Sequence, residues 1–180
     1  MCQVLSRLNS NISGFSLKAK ISRPNLFDLL QLRKKLNDRR GDITNQNTCY
    51  KIINETKPDI IIHMAAQAQV KQSYLDPVET FKTNALGTLN ILEAARRSNS
   101  IKAILVVTSD KCYKNNETKH AYKEDDKLGG NDPYSSSKAC VEHISRSFYK
   151  SFFIENFSLA EVCVSKVSPE SPAGKLITKN

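Results

Sequence analysis

No stretch of this chain approaches the roughly 20 apolar residues that a membrane span requires. Met1 to Ser10 holds no apolar stretch long enough for a secretory leader, so none is expected. Cysteine is scarce: the five at 2, 49, 112, 140 and 163 are odd in number and form no Cys-x-x-Cys. That pattern argues for idle thiols in a reducing cytoplasm rather than for a disulfide framework or a zinc site. His63 has no partner at ligand spacing and reads as a strand-end core histidine, with no metal implied. Glycine is equally sparse. The six, at 14, 41, 87, 129, 130 and 174, build no Gly-x-x-Gly-x-x-Gly turn. Repeats and low-complexity tracts are missing as well. The net charge of +9 comes from dispersed basic residues in short clusters such as Arg33-Lys34-Lys35 and Arg39-Arg40. Without an aromatic-interleaved basic stripe this is solvated surface, and nucleic acid is not an expected partner.

What is present is a regular alternation of short apolar runs and helical segments, the pattern of parallel βαβ units in an α/β domain. A length of 180 residues with 39% hydrophobic content suffices for one core. Strands are predicted at Ile12–Leu17, weakly at Arg39–Ile43, at Ile60–Met64, Ala103–Val107 and Leu159–Val164. The unbroken apolar run Ile60-Ile61-Ile62 predicts a strand covered on both faces. Helices are predicted over Leu26–Leu36 after Asn25, over Thr48–Glu55 closed by Lys57-Pro58, and from Asp76-Pro77 to Ser98. The last should bury Phe81, Leu86, Leu89, Ile91, Leu92 and Ala95. A final helix runs from Tyr134 to about Phe153, with Asp132 as N-cap and Pro133 at the first position. Residues 112–131, polar and rich in Lys and Asn, resemble an active-site loop.

Chemistry concentrates around the strand Ala103–Val107. It is followed by Thr108-Ser109-Asp110-Lys111, and then by Tyr134 and Lys138 one helical turn apart. Tyrosine titrates near 10 and is a poor base until a cation favours its phenolate. Lys138 shares a helix face with Tyr134 and can supply that charge, while Ser109 can orient a substrate hydroxyl. By itself a Tyr-x-x-x-Lys pair is as often an ordinary exposed helix pair, but of the six tyrosines only Tyr134 has a lysine at that spacing. Ala65-Ala66-Gln67 puts small residues at the carboxyl end of a strand, where ligands of open α/β sheets bind, although small residues there more often serve packing. Asp42 either hydrogen-bonds an adenine or caps the next segment.

Gly41-Asp42-Ile43, His63-Met-Ala-Ala-Gln67, Pro77-Val-Glu-Thr80, Thr83-Asn84-x-x-Gly87-Thr88, Leu92-Glu93-Ala94, Thr108-Ser-Asp-Lys-Cys-Tyr113 and Tyr134-x-x-x-Lys138 together resemble the extended short-chain dehydrogenase/reductases. The run Thr108–Tyr113, with Asn25-Leu-Phe27, is similar to the branch of 4,6-dehydratases that act on CDP-glucose. The match covers about Leu5 to Phe153. The resemblance implies a Rossmann-like fold, a bound NAD (or NADP), CDP-glucose as substrate, a cytoplasmic lyase and a homodimer. Its cofactor-binding set would be Asp42, Ile43, Ala65, Ala66, Gln67, Tyr134 and Lys138. It implies that Tyr134 takes the proton of the sugar 4-hydroxyl as hydride leaves C4, with Lys138 lowering its pKa and Ser109 holding that hydroxyl. Asp110 would protonate the departing 6-hydroxyl, Lys111 would sit by the C5 hydrogen, and hydride would return to C6. Asn84 would lie at the substrate site and position the catalytic helix.

Two departures set further expectations. The family opens with a strand and a glycine-rich turn that cradles the pyrophosphate, and the glycine pattern here contains neither. In the strand order 3-2-1-4-5-6 that strand is central. An incomplete doubly wound parallel sheet is therefore expected, lacking the first strand and glycine-rich turn, with the strands near 12 and 39 parted from those near 60, 103 and 159. Residues 1–165 are expected to form a partial dinucleotide-binding domain and 166–180 a divergent tail, with the substrate lobe absent. Three functions stay open: a CDP-glucose 4,6-dehydratase present as an inactive fragment, another extended dehydrogenase (a dTDP-sugar dehydratase or a sugar 4-epimerase), and a non-catalytic remnant that binds no cofactor.

Overall fold

The computed structural model describes residues 1–18, 25–115, 121–154 and, for the backbone, 161–167. Two parallel sheets form. In one, β1 (Ser13–Ser16) pairs with β2 (Asn37–Arg40), Ser13 opposite Asn37. In the other, β3 (Ile60–His63), β4 (Ala103–Ser109) and β5 (Glu161–Val167) lie in that order, Ile60 opposite Ala103 and Ala103 opposite Glu161. Among the described residues no strand joins β1 to β3, which is the division that the glycine pattern predicted. The two sheets are the halves of a doubly wound parallel architecture.

The division alters β3. Ile61 packs against the main core, but Ile60, on the opposite face, is 61% exposed. The expectation that both faces are covered is therefore only partly met. Helix α1 (Cys2–Arg7) brings no buried residue that could close that face. Lack of burial also shortens the helix expected over Leu26–Leu36. Asn25 caps α2 (Leu26–Leu29) as predicted, accepting from the Asp28 N–H at 3.0 Å. The chain then turns through Gln31 at φ 48° into a single 3₁₀ turn over Leu32–Lys34. Leu26 and Leu29 are mostly exposed, and a short helix without a packed face has little to sustain it. Strand β2 begins two residues earlier than expected, and Gly41-Asp42-Ile43 leaves the sheet so that Ile43 enters the core.

Asn45 caps α3 (Gln46–Thr56), which ends at Lys57 with φ 40°, directly before Pro58. A helix not foreseen, α4 (Val70–Leu75), follows β3; its Tyr74 and Leu75 are exposed, so it has no apolar stripe to read. Asp76 then caps the long helix, as predicted. That helix is α5 (Pro77–Phe81), a π turn over Lys82–Leu86, and α6 (Gly87–Arg96). One added residue per π turn shifts the helical phase. Ile91, Leu92 and Ala95 are buried as expected, but Leu86 is 42% exposed and Asn84 takes the inward position. The core joins Ile43, Cys49 and Ile53 to α6, to Ile104 and Val106 of β4, and to Val141 and Phe153 beyond. Helix α7 (Pro133–Phe148) extends through a second π turn to Phe153. No helix among the described residues is long and apolar enough to cross a membrane.

Two contacts tie α6 into this arrangement. A methyl group on Gly87 would meet the Ile43 side chain at 2.5 Å, so only glycine admits Ile43 there. His63, buried as the sequence predicted, bonds through Nε2 to Thr88 Oγ1 at 2.9 Å. Thr88 directs its single hydroxyl proton to the Asn84 carbonyl at 2.6 Å, so His63 must donate and its Nε2 carries the proton. Burial, with a smaller push from the Lys138 ammonium, lowers the His63 pKa from 6.5 to about 4.

Gly87→Ala should destabilise the chain by about 1–3 kcal/mol through overpacking despite its better helix propensity, and adding Ile43→Val should recover part of the loss. Urea titrations of the single and double variants measure this. His63 binds a proton more readily when unfolded, so its share of stability is complete above pH 6.5 and is lost as pH falls toward about 4. Between pH 7 and pH 5 the loss should be on the order of 2 kcal/mol. A His63→Asn variant should lose that dependence in paired urea titrations.

Candidate active site

The carboxyl end of β4 and the first turns of α7 meet beside the exit of β3. Ser109 closes β4 in extended conformation and caps a 3₁₀ turn over Asp110–Cys112, its hydroxyl accepting from the Lys111 N–H at 3.3 Å. The same hydroxyl donates to Asp110 Oδ1 at 3.1 Å and faces the Tyr134 phenol, whose ionisation it favours. A serine has one proton to direct. Turned to Asp110 it leaves the serine oxygen free to accept; turned to the phenol it favours the phenolate.

The start of α7 is built as predicted. Asp132 accepts from the Ser135 N–H at 3.0 Å and from the Ser135 hydroxyl at 2.6 Å, and Pro133 follows it. Gly130 lies so close to this turn that a Cβ would stand 2.4 Å from the Ser135 and Ser136 backbone. The Ser136 hydroxyl donates to the Gly130 carbonyl at 2.8 Å, which presses the incoming loop onto the helix. Tyr134 is thereby buried, only 8% exposed.

Burial raises the Tyr134 pKa above its ordinary 10; the Ser109 contact opposes this, and Asp110 and Asp132 add to it. Lys138 is buried on the same helix face, and burial lowers its pKa while the neighbouring Cys112 and Glu142 side chains pull it back up. The spacing argument thus places the pair correctly, yet carboxylates rather than Lys138 are the charges that act most on the phenol. Lys111 points out of the turn and is exposed.

Asn84 links the remaining pieces. Its Oδ1 accepts from the Gln67 N–H at 2.8 Å, and its Nδ2 donates to the Gln67 carbonyl at 3.1 Å and to Ser137 Oγ at 2.8 Å. Ser137 in turn donates to the Tyr134 carbonyl at 2.7 Å. Ala65, Ala66 and Gln67 are held half-buried at the exit of β3, the Gln67 amide donating to Thr80 Oγ1 at 2.9 Å. Asp42 and Ile43 stand apart, after β2. Asp42 Oδ1 accepts from the Thr44 N–H at 2.8 Å, and Ile43 is core. Ser137, Gly130 and Glu142 belong to the site but were not singled out from sequence. Only Glu142 left a trace there, as a carboxylate one turn beyond Lys138.

Comparison with known proteins agrees with this geometry. The sequence pattern of the family described as GDP-mannose 4,6 dehydratase matches residues 3–179. The chain is 40% identical to CDP-glucose 4,6-dehydratase of Salmonella typhimurium over 83% of its own length and 41% of that protein's. It is 31% identical to dTDP-D-glucose 4,6-dehydratase of Dictyostelium discoideum over 71% of the chain and 32% of the relative. The chain thus spans less than half the length of these two curated relatives. In fold it is similar to UDP-glucose 4-epimerase of Thermotoga maritima (TM-score 0.76, 18% identity, 91% of the chain and 49% of that structure). It is also similar to the Thermus thermophilus epimerase solved with NAD (TM-score 0.74, 22% identity, 97% and 55%). With a family match over nearly every residue and a Tyr-Lys helix set against the end of a parallel strand, the chain belongs to the GDP-mannose 4,6 dehydratase family.

Proposed function

We propose that this chain carries the proton-transfer half of a nucleotide-sugar 4,6-dehydratase, a hydro-lyase that acts on CDP-glucose with NAD. The observation that carries the reading is the meeting of Tyr134 with Ser109 and Asp110 at the end of β4, Ser109 bonded to Asp110 at 3.1 Å and Lys138 buried on the same helix as Tyr134. The 40% identity to a relative named for that reaction supports the choice of sugar nucleotide.

The residues fit one end of a dinucleotide. Tyr134 and Ser109 meet at the end of β4, and Asn84 ties Gln67, next to the small Ala65 and Ala66 at the end of β3, to Ser137 of the Tyr134–Lys138 helix, an arrangement that suits a nicotinamide riboside. The pyrophosphate finds no such fit: no glycine-rich turn exists in the sequence, and no described strand lies between β1 and β3. When bound, the cofactor supplies reversible oxidation at the sugar. The chain's own residues handle protons. Tyr134 accepts the proton of the 4-hydroxyl, which Ser109 orients. Once C4 is a ketone the C5 hydrogen is acidic; it leaves as a proton on the Lys111 side while Asp110 protonates the departing 6-hydroxyl, so that water is lost across C5 and C6. Lys138 holds the ribose and compensates the phenolate. Lys111, at the exposed edge of the same turn, faces the C5 side. Residues 1–165 act as part of a dinucleotide-binding domain and 166–180 as a divergent tail, in a cytoplasmic homodimer. Standing alone, the chain binds the cofactor too weakly to turn over, because the pyrophosphate has no cradle.

Formation of a 4-keto-6-deoxy sugar, followed by its ultraviolet absorbance in alkali, tests this. The chain alone with CDP-glucose and NAD should give no product. A chimera with residues 60–153 in place of the matching segment of the Salmonella relative should give product, and Tyr134→Phe should lower its kcat by about 10²-fold or more. A folded chimera that binds CDP-glucose without forming the ketone would sink the reading. In the active chimera Gly130→Ala should also lower kcat, by roughly 10- to 100-fold, since the added Cβ displaces the turn that seats Tyr134.

A further inference from the structure

The face of α7 that carries Tyr134 and Lys138 continues, four residues on, to Glu142. All three side chains are buried, Glu142 at 8% exposure. A carboxylate is seldom buried without a task, because desolvation disfavours its charge. Glu142 Oε1 accepts from the Thr108 hydroxyl at 2.5 Å and from the Cys112 thiol at 3.7 Å. These two residues flank Ser109-Asp110-Lys111 on either side. One carboxylate oxygen therefore holds both ends of the turn that carries the proposed proton donors and acceptors. The Thr108 bond is a short charge-assisted hydrogen bond, and the Cys112 thiol adds a weaker one. The same carboxylate is a nearby negative charge for Lys138, which is also faced by His63 from β3 and Cys112 from the turn.

We infer that Glu142 is a positioning residue: its buried carboxylate clamps the Ser109–Lys111 turn in register with Tyr134 and Lys138 and sustains the charge of Lys138. Its consequence for catalysis rests on the dehydratase reading; the clamp itself does not. Thr108, Cys112 and Glu142 all lie outside the Tyr134–Ser109–Asp110 set, so this role adds a residue to the site.

Hydrogen exchange and Lys138 side-chain titration by nuclear magnetic resonance on the full chain test it. Glu142→Gln keeps an oxygen to accept from Thr108 and removes the charge, whereas Glu142→Ala removes both. Exchange of the Asp110–Cys112 amides should be at least about tenfold faster in Glu142→Ala and within about threefold of the parent in Glu142→Gln. The Lys138 titration should move down in Glu142→Gln. Parental exchange at the turn in Glu142→Ala, or an unmoved Lys138 titration in Glu142→Gln, overturns the proposal. Should Glu142→Ala fail to fold, the titration in Glu142→Gln decides alone. Neither readout uses cofactor or sugar nucleotide, so failure of the clamp and failure of the dehydratase reading are separable results.

Discussion

The site depends on one buried carboxamide. Asn84, 1% exposed, bonds both backbone groups of Gln67 and the Ser137 hydroxyl, and so fixes the exit of β3, the α5–α6 helix and the first turns of α7 to one another. Any relative shift of these elements would leave a donor or acceptor unpaired away from water, at a cost of about 1–3 kcal/mol each. Hydrophobic packing tolerates sliding; this directional contact does not. Asn84 stands four residues from both Thr80 and Thr88 on the buried stripe of that helix, whereas Leu86 lies on its opposite face.

Around that anchor the buried ionisable groups are balanced. His63 is held neutral by burial and by the Lys138 charge, and it serves as a hydrogen-bond donor to Thr88. Lys138 is the cation of this interior, and Glu142 is the anion one turn away. A second cation at His63 would face Lys138 in a medium of low effective dielectric, where like charges are costly. Keeping the imidazole neutral leaves the lysine charge for the work of α7. Tyr134, for its part, stays a phenol in this arrangement because burial and two carboxylates oppose ionisation, and Ser109 is the neighbour that works the other way.

Much of this was legible beforehand, and the failures have a common origin. Asp132-Pro133 and Asp76-Pro77 marked helix starts because capping is local chemistry, confined to three or four residues. The parted sheets followed from a glycine pattern and a strand order. By contrast, the helix drawn over Leu26–Leu36 satisfied periodicity but had no surface to pack on, and it broke at Gln31. Leu86 is apolar but lies off the helical stripe of Thr80, Asn84, Thr88, Ile91 and Ala95, and so stays 42% exposed.

The sequence by itself determined the α/β order, the helix caps, the shared face of Tyr134 and Lys138, and the lack of a pyrophosphate turn. Each of these is set by neighbours within a few residues or by composition. Tertiary structure alone decided that Asn84 reaches Ser137 across 53 positions, that Thr88 fixes the His63 tautomer, and that Glu142 brackets the Ser109–Lys111 turn. Those contacts join residues 25 to 53 positions apart, beyond the reach of local sequence preference. The sequence shows which groups could do the chemistry; only the packing of β3, α6 and α7 decides which of them meet.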